Sequence, residues 1–158
     1  MKTNELIEFL YQSNLIEDEH RAVALVDSIS AWTYMEEWAR PNDLTLKDIL
    51  NIHEYLMYHI DPRIAGKLRG VNVRVGSSIR PDHTLVYGLI NELLREPAPK
   101  TEEDIRQWHI KFEEIHPFFD GNGRCGRIIY QWQRKSGGLP IHIIYAKDKD
   151  EYYKWFRG

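Results

Sequence analysis

The sequence predicts an all-α protein that carries one short β-hairpin. Three observations lead there. Apolar residues recur at helical spacing through most of the chain. Short links such as Pro41-Asn42 and Glu96 to Lys100 separate these runs. Only one stretch, from Val71 to Ile79, changes to the period-two alternation of a strand. The 158 residues, 42% of them hydrophobic and 12% aromatic, suit a single globular domain over residues 1–158. A formal net charge of −3 gives no general attraction to nucleic acid or to an anionic membrane. No apolar run approaches the roughly 20 residues that span a bilayer, and the N-terminus lacks a signal-peptide core. Cys125 is the only cysteine, a small filler by its setting, so no intrachain disulfide can form. A cytoplasmic protein is expected.

Thr3 to Gln12 places Leu6, Phe9 and Leu10 at helical spacing behind Thr3 as an N-cap. So short a helix needs tertiary support. Ser13 to Asp18 leads into a second helix over about residues 18–39, where Leu25, Ile29, Trp32 and Met35 or Glu36 trace one face before Pro41 closes the run. A third helix is expected from Thr45 to Ile60, with Thr45 as cap, Asp48 at the third helical position and Ile49, Ile52, Leu56 and Ile60 inward. His53 and His59 stand six apart, not the four that put two metal ligands on one helical face. Between Leu68 and Pro81, Val71, Val73 and Val75 alternate with Asn72 and Arg74. Gly76-Ser77 then suits a two-residue turn of type II′, which makes residues 68–80 a hairpin that must lean on helices.

His83 to Arg95 returns to helical spacing, with Val86, Leu89, Ile90 and Leu93 on one side. Glu96 to Lys100 is a stiff, proline-containing connector. Thr101-Glu102-Glu103-Asp104 opens the next helix with a cap and the acidic first turn that a helix dipole favours. Ile105, Trp108, Phe112 and Ile115 form its buried stripe, while His109, Glu113 and His116 share a second one. His109 reads there as structural or close to substrate, not as a base. A helix from Arg124 to Lys135, with Ile128, Ile129 and Trp132 apolar, ends at Gly137-Gly138. Leu139 to Tyr145 connects it to a short final helix over Asp148 to Phe156, whose Tyr152, Tyr153 and Trp155 suggest C-terminal packing.

The chemistry concentrates in the stretch from His116 to Arg127, His-Pro-Phe-Phe-Asp-Gly-Asn-Gly-Arg-Cys-Gly-Arg. Gly121 and Gly123 bracket Asn122 immediately before a helix, so backbone N–H groups can converge on an anion at the helix's positive end. Arg124 and Arg127 lie three apart, near the first turn, where both can make charge-assisted bonds to phosphate oxygens. Asp120 supplies a hard oxygen suited to Mg²⁺ shared with a nucleotide's phosphates. His116 stands where a neutral imidazole can take a proton from an attacking hydroxyl. Phe118 reads as a buried anchor for the loop. The chain has no Gly-x-x-x-x-Gly-Lys-[Ser/Thr] run, which excludes the P-loop solution to phosphate binding.

These residues resemble the signature of the Fic-domain family, HPFx[D/E]GNGRxxR, at every defining position. The resemblance implies a mainly helical Fic fold with residues 101–137 as a helix–loop–helix core. It also implies transfer of AMP from ATP, with Mg²⁺, to a Tyr, Thr or Ser hydroxyl of a target protein or of the enzyme itself. By matching positions, His116 is the base, Asp120 the metal ligand, and Gly121, Asn122, Gly123, Arg124 and Arg127 the nucleotide-phosphate contacts. The hairpin becomes a flap, with Val71, Asn72, Val73, Arg74, Val75, Gly76, Ser77, Ser78 and Ile79 as the segment that docks an extended target by strand addition. Ser13 and Glu17 resemble the family's inhibitory pattern [S/T]-x-x-x-E-[G/N], whose glutamate pairs with the last motif arginine, here Arg127. Residues 1–18 are then an inhibitory segment, although Asp18 replaces the expected Gly or Asn. Tyr152 and Tyr153 fall where family members hold adenine, an alternative to simple packing. Other readings stay open: a different nucleotide donor, removal of AMP, or a non-catalytic regulatory binding protein.

Overall fold

The computed structural model describes residues 3–157. Seven helices occur among them: α1 (Thr3–Ile16), α2 (Ala22–Trp38), α3 (Leu46–Met57), α4 (Val86–Arg95), α5 (Glu102–Ile115), α6 (Asn122–Ser136) and α7 (Lys149–Tyr153). The expected helical class with one small antiparallel hairpin is what the chain adopts. α2 packs along α3 and α5 along α6, while α1 lies against both α2 and α6. The main core fills the space between them with Trp32, Met35, Ile49, Ile52, Phe112, Phe118 and Ile129, each at most 1% exposed. A smaller cluster of Ile16, Ile105, Tyr130, Ile144 and Tyr152 fastens the end of α1 and the C-terminal segment to α5 and α6.

Several boundaries differ from the sequence expectation, each for a physical reason. α1 continues past Gln12 because Ser13, Asn14 and Ile16 all turn inward and are at most 4% exposed. α2 starts at Ala22, not near residue 18, because the chain first has to close α1. Asp18 takes a left-handed φ of 55°, the N–H of Asp18 donates to Leu15 O at 3.0 Å, and that of Glu19 donates to Asn14 O at 2.9 Å. That pair of bonds is a Schellman closure with Asp18 in the position glycine usually fills. α3 has the expected capping box between Thr45 and Asp48, and Thr101 accepts from Asp104 N to cap α5. α6 ends as expected at Gly137, with Gly138 left-handed at φ 75°. The last helix is a chain of short turns around α7.

The hairpin is shorter than its sequence pattern suggested. β1 is Arg74–Val75 and β2 is Ser78–Ile79, paired Val75 to Ser78 and Arg74 to Ile79. Gly76 at φ 59° makes the two-residue turn. Val71 and Asn72 stay out of the ladder, held by groups outside it. Asn72 Oδ1 accepts from His83 N at 2.8 Å, and Val71 O accepts from Arg69 Nη1 at 2.9 Å. A single backbone bond from Arg80 N to Val73 O, 3.2 Å, extends the pairing toward the stem.

Candidate active site

The site begins where α5 stops. His116 takes a left-handed conformation, φ 52° and ψ 65°, while its N–H still donates to Phe112 O at 3.1 Å. This turns the chain out of the helix into the glycine loop. Phe118 anchors that loop as expected: it is fully buried and stacks on the His53 ring at 3.7 Å. Asn122 locks the loop from inside, accepting from Phe118 N and donating to Phe118 O, both at 2.8 Å. Its carboxamide is therefore committed to bracing the loop and not to a phosphate; its backbone remains in the first turn of α6. Gly121 sits at φ 84°, and a Cβ there would stand 2.9 Å from Met57 Sδ and 3.2 Å from His53 Nε2. Both conformation and space require glycine at that position.

His53 and His59, weighed in the sequence as metal ligands, do not meet. His59 pairs with Asp27 at 2.6 Å. His53 Nδ1 accepts from Gly66 N at 3.0 Å, which leaves Nε2–H to donate to Asp120 O at 2.8 Å. Arg69, at 4% exposure, does more for the site than the sequence disclosed. Its guanidinium donates to His116 O (2.7 Å), Ile115 O (3.3 Å), Val71 O (2.9 Å) and Pro81 O (2.6 Å), so one side chain ties the end of α5 to both roots of the hairpin.

Between the hairpin, the loop and the first turn of α6 lies a cleft of about 730 Å³. His116, Asp120 and the Gly121 to Arg124 turn form one wall with Arg127, and Arg74 to Ser78 form the hairpin side. Val71, Asn72, Val73 and Ile79 lie outside its lining. His116 lines this cleft, and its Nδ1 is buried without a hydrogen-bond partner. Burial, then the guanidinium groups of Arg80 and Arg69, push the imidazole down to about pKa 4, so it is neutral at pH 7. That is the protonation state a base needs.

Arg124 is 5% exposed, with Nε unpartnered and Nη2 3.8 Å from Asp120 Oδ1. Asp120 itself is open: its side chain is 62% exposed and Oδ1 accepts from Gly121 N at 2.8 Å. Among the described residues no group of three His, Cys, Asp or Glu side chains could hold a metal alone. One free carboxylate at the mouth of a phosphate-sized cleft does fit Mg²⁺, which takes one or two protein carboxylates plus phosphate oxygens and water.

Arg127 is 1% exposed, and α1 satisfies it. Nε donates to Ser13 Oγ (2.8 Å), while Nη2 donates to Ser13 O (3.0 Å) and Glu17 Oε1 (2.8 Å). The Ser13–Glu17 pair is thus brought onto Arg127. Burial raises the Glu17 carboxyl, but the charge and hydrogen bond of Arg127, with help from Arg124 and His116, leave its pKa below the ordinary value. Glu17 also fills space over the turn, since a Cβ on Gly123 would collide with Glu17 Oε1 and stand 2.7 Å from Arg127 Nη1. Tyr152 is 4% exposed, stacks on Trp155 at 5.0 Å, and its hydroxyl meets His109 Nε2 at 2.6 Å. It presents its ring to Arg127, whose guanidinium carbon lies 5.6 Å from the centroid. Tyr152 is therefore part of the C-terminal packing as well as of the cleft wall, and Tyr153, 36% exposed, lines the same end.

Sequence reasoning missed Arg69, Arg80 and Glu113. An arginine on either side of the hairpin was the only available signal for the first two. For Glu113 it was the stripe shared with His116.

The Fic/DOC family description matches residues 43–133. The protein adenylyltransferase Fic of Drosophila melanogaster is 31% identical over 147 residues, 89% of this chain and 30% of the relative. That of Culex quinquefasciatus is 29% identical over 146 residues, 89% of this chain and 29% of the relative. The chain therefore spans less than a third of the length of the curated relatives it matches. Among solved structures, a Fic-1 fragment from C. elegans superposes with TM-score 0.80 at 19% identity, covering 94% of this chain and 53% of that one. A Fic family protein from Desulfovibrio desulfuricans G20 does so with TM-score 0.75 at 23% identity, covering 95% and 55%.

Proposed function

The chain belongs to the Fic/DOC family, and on that footing we propose that it is a protein adenylyltransferase that moves AMP from ATP to a protein hydroxyl. The observation that carries this reading is the neutral imidazole of His116 in the same cleft as the glycine turn and two buried arginines. A side-chain alcohol is a poor nucleophile at neutral pH and needs a base in contact with it. His116 Nε2 takes the hydroxyl proton as the oxygen attacks the α-phosphorus. The new O–P bond forms as the bond from the α-phosphorus to the bridging oxygen breaks, and pyrophosphate leaves with that electron pair. Charge grows on the α-phosphate and on the leaving group. The N–H groups at the start of α6 and the Arg124 guanidinium face that charge, and preorganised donors of this kind are worth about 3–4 kcal/mol each. Mg²⁺ held at Asp120 would neutralise part of it.

Arg127 is the residue that would receive the terminal phosphate, and in this conformation Ser13 and Glu17 hold it. α1 therefore acts as an inhibitor built into the chain, and its withdrawal frees Arg127 for ATP. The short exposed hairpin offers Arg74 to Ile79 as an edge along which an extended target segment can pair. Removal of AMP from a modified target, another nucleotide donor, or a non-catalytic binding role is secondary, because His116 stands in one cleft with Arg124 and Arg127, which together suit a whole triphosphate.

The test is transfer of radiolabel from ATP carrying it on the α- or the γ-phosphate. The expected result is covalent label from the α position only, raised in Glu17→Gly and abolished in His116→Ala. Label from the γ position alone, or label undiminished in His116→Ala, would overturn the reading.

A further inference from the structure

Buried polar atoms without a hydrogen-bond partner are rare, and each calls for a reason. In this protein, four of them sit in the wall of the one cleft: Arg80 Nε, Glu113 Oε1, His116 Nδ1 and Arg124 Nε. His116 and Arg124 belong to the glycine-loop motif, but Arg80 does not. It follows β2 directly and precedes Pro81, and its backbone is fixed on both sides. Arg80 N donates to Val73 O at 3.2 Å, and Pro81 O accepts from Arg69 at 2.6 Å. The same Arg69 guanidinium holds His116 O at 2.7 Å, so the roots of Arg80 and His116 are pinned to one another.

A cation pinned near a base is a liability by itself. It opposes the positive charge that the imidazole must acquire on taking a proton, and after burial it is the next cause of the low His116 pKa. The arrangement makes sense when an anion comes between them. On the adenylyl-transfer reading Arg127, now held by Glu17, meets the terminal phosphate, and Arg124 lies beside Asp120. The phosphate that must stand within reach of His116 is the one under attack, and Arg80 is the guanidinium on that side.

Building on the adenylyl-transfer reading, we propose that Arg80 is a further phosphate-binding residue of this cleft. It takes the non-bridging oxygens of the α-phosphate, on the His116 side, while Arg124 and Arg127 hold the rest of the triphosphate. It thereby also neutralises its own unfavourable effect on the imidazolium, because the bound phosphate screens guanidinium from ring.

The experiment uses the Glu17→Gly protein, with and without Arg80→Gln and Arg80→Lys, and measures binding of AMP, pyrophosphate and ATP by calorimetry. Loss of one charged hydrogen-bond donor is expected to weaken AMP and ATP by about ten- to a hundredfold in Arg80→Gln, and pyrophosphate not at all. Arg80→Lys should restore part of the loss. In the ligand-free protein the His116 pKa, read by NMR, should rise in Arg80→Gln, which a purely structural role would not produce. Unchanged AMP affinity overturns the proposal, whether pyrophosphate weakens instead or only the Michaelis constant for a protein target rises. If the Glu17→Gly parent binds no nucleotide, the adenylyl-transfer reading itself fails and takes this one with it, and that outcome is seen before any Arg80 variant is made.

Discussion

Asp18 shows how much one backbone torsion can matter. It ends α1 at φ 55°, a region that L-residues other than Asn and Asp seldom enter, and glycine enters freely. That conformation explains the Gly or Asn of the inhibitory pattern: the residue after the glutamate is the left-handed closure of the helix, and it sets where Glu17 points. Asp18 keeps the geometry at some cost and compensates with a 2.6 Å contact to His20. We expect Asp18→Gly to raise stability by about 0.5–1 kcal/mol and to lower basal label transfer by holding Glu17 on Arg127 more tightly. Thermal melts and α-label transfer check both arms; higher transfer in this variant would count against α1 as inhibitor.

At the scale of elements, the glycine loop is held by what lies beneath it. Phe118 is wholly buried between the loop and α3, stacked on His53, and its backbone N–H and C=O both close onto Asn122. His53 in turn fixes the Asp120 carbonyl. Truncating Phe118 to Ala should cost about 3–5 kcal/mol as a cavity opens. If the loop presents its amides to phosphate as proposed, ATP affinity should fall with stability, whereas a core deletion of similar cost far from the loop, such as Ile49→Ala, should leave nucleotide affinity in the folded fraction unchanged. Denaturant titration and calorimetry on the two variants separate these outcomes. α1 is the contrasting element: its last turn touches the cleft through Ser13 and Glu17, and above that turn it docks by Phe9 and Leu10 in the main core. If α1 is the proposed inhibitor, its release would have to undock Ile16 from the second cluster as well as Ser13 and Glu17 from Arg127, while Phe9 and Leu10 could stay packed.

For the whole molecule, the site's chemistry returns as acid sensitivity. Burial lowers His53 to about 4 and His109 to about 3, and burial with nearby arginines lowers His116 to about 4. Above pH 6.5 these rings are neutral whether the chain is folded or not. As pH falls below that value the unfolded chain binds protons that the folded one refuses, so stability is lost toward pH 4. Glu113 works in the opposite sense: burial raises it to about 7, so between there and its ordinary 4.5 the folded state binds the extra proton and gains stability as pH falls. His142 is lowered by burial in the same sense, so the histidines together outweigh Glu113 and the fold loses stability as pH falls from 6.5 toward 4.5. Glu113→Gln removes the offset and should steepen the loss by up to one proton, roughly 1 kcal/mol per pH unit. Urea unfolding at pH 7, 6 and 5 measures both slopes, and equal slopes in the two proteins would refute the assignment of the proton to Glu113.

What the sequence determined by itself were the local properties: helical periodicity, the caps at Thr45 and Thr101, the Gly76-Ser77 turn, and the base, carboxylate, glycines and arginines of one loop. These follow from side chains a few residues apart, whose relative placement the helix and turn already dictate. Only the tertiary structure decided the shortness of the hairpin, because Arg69 takes the Val71 carbonyl and the His83 N–H ties down the Asn72 side chain, which fixes this segment away from the ladder. It likewise decided that Asn122 braces the loop, that His53 serves as a strut, and that Arg80 and Glu113 enter the cleft. Some of those contacts join residues far apart in the chain, as His53 does with Asp120, and the close ones, such as Asn122 with Phe118, form only once the loop is packed; a buried polar group chooses its partner by which one the packed chain brings within hydrogen-bonding distance, a fact no local pattern encodes.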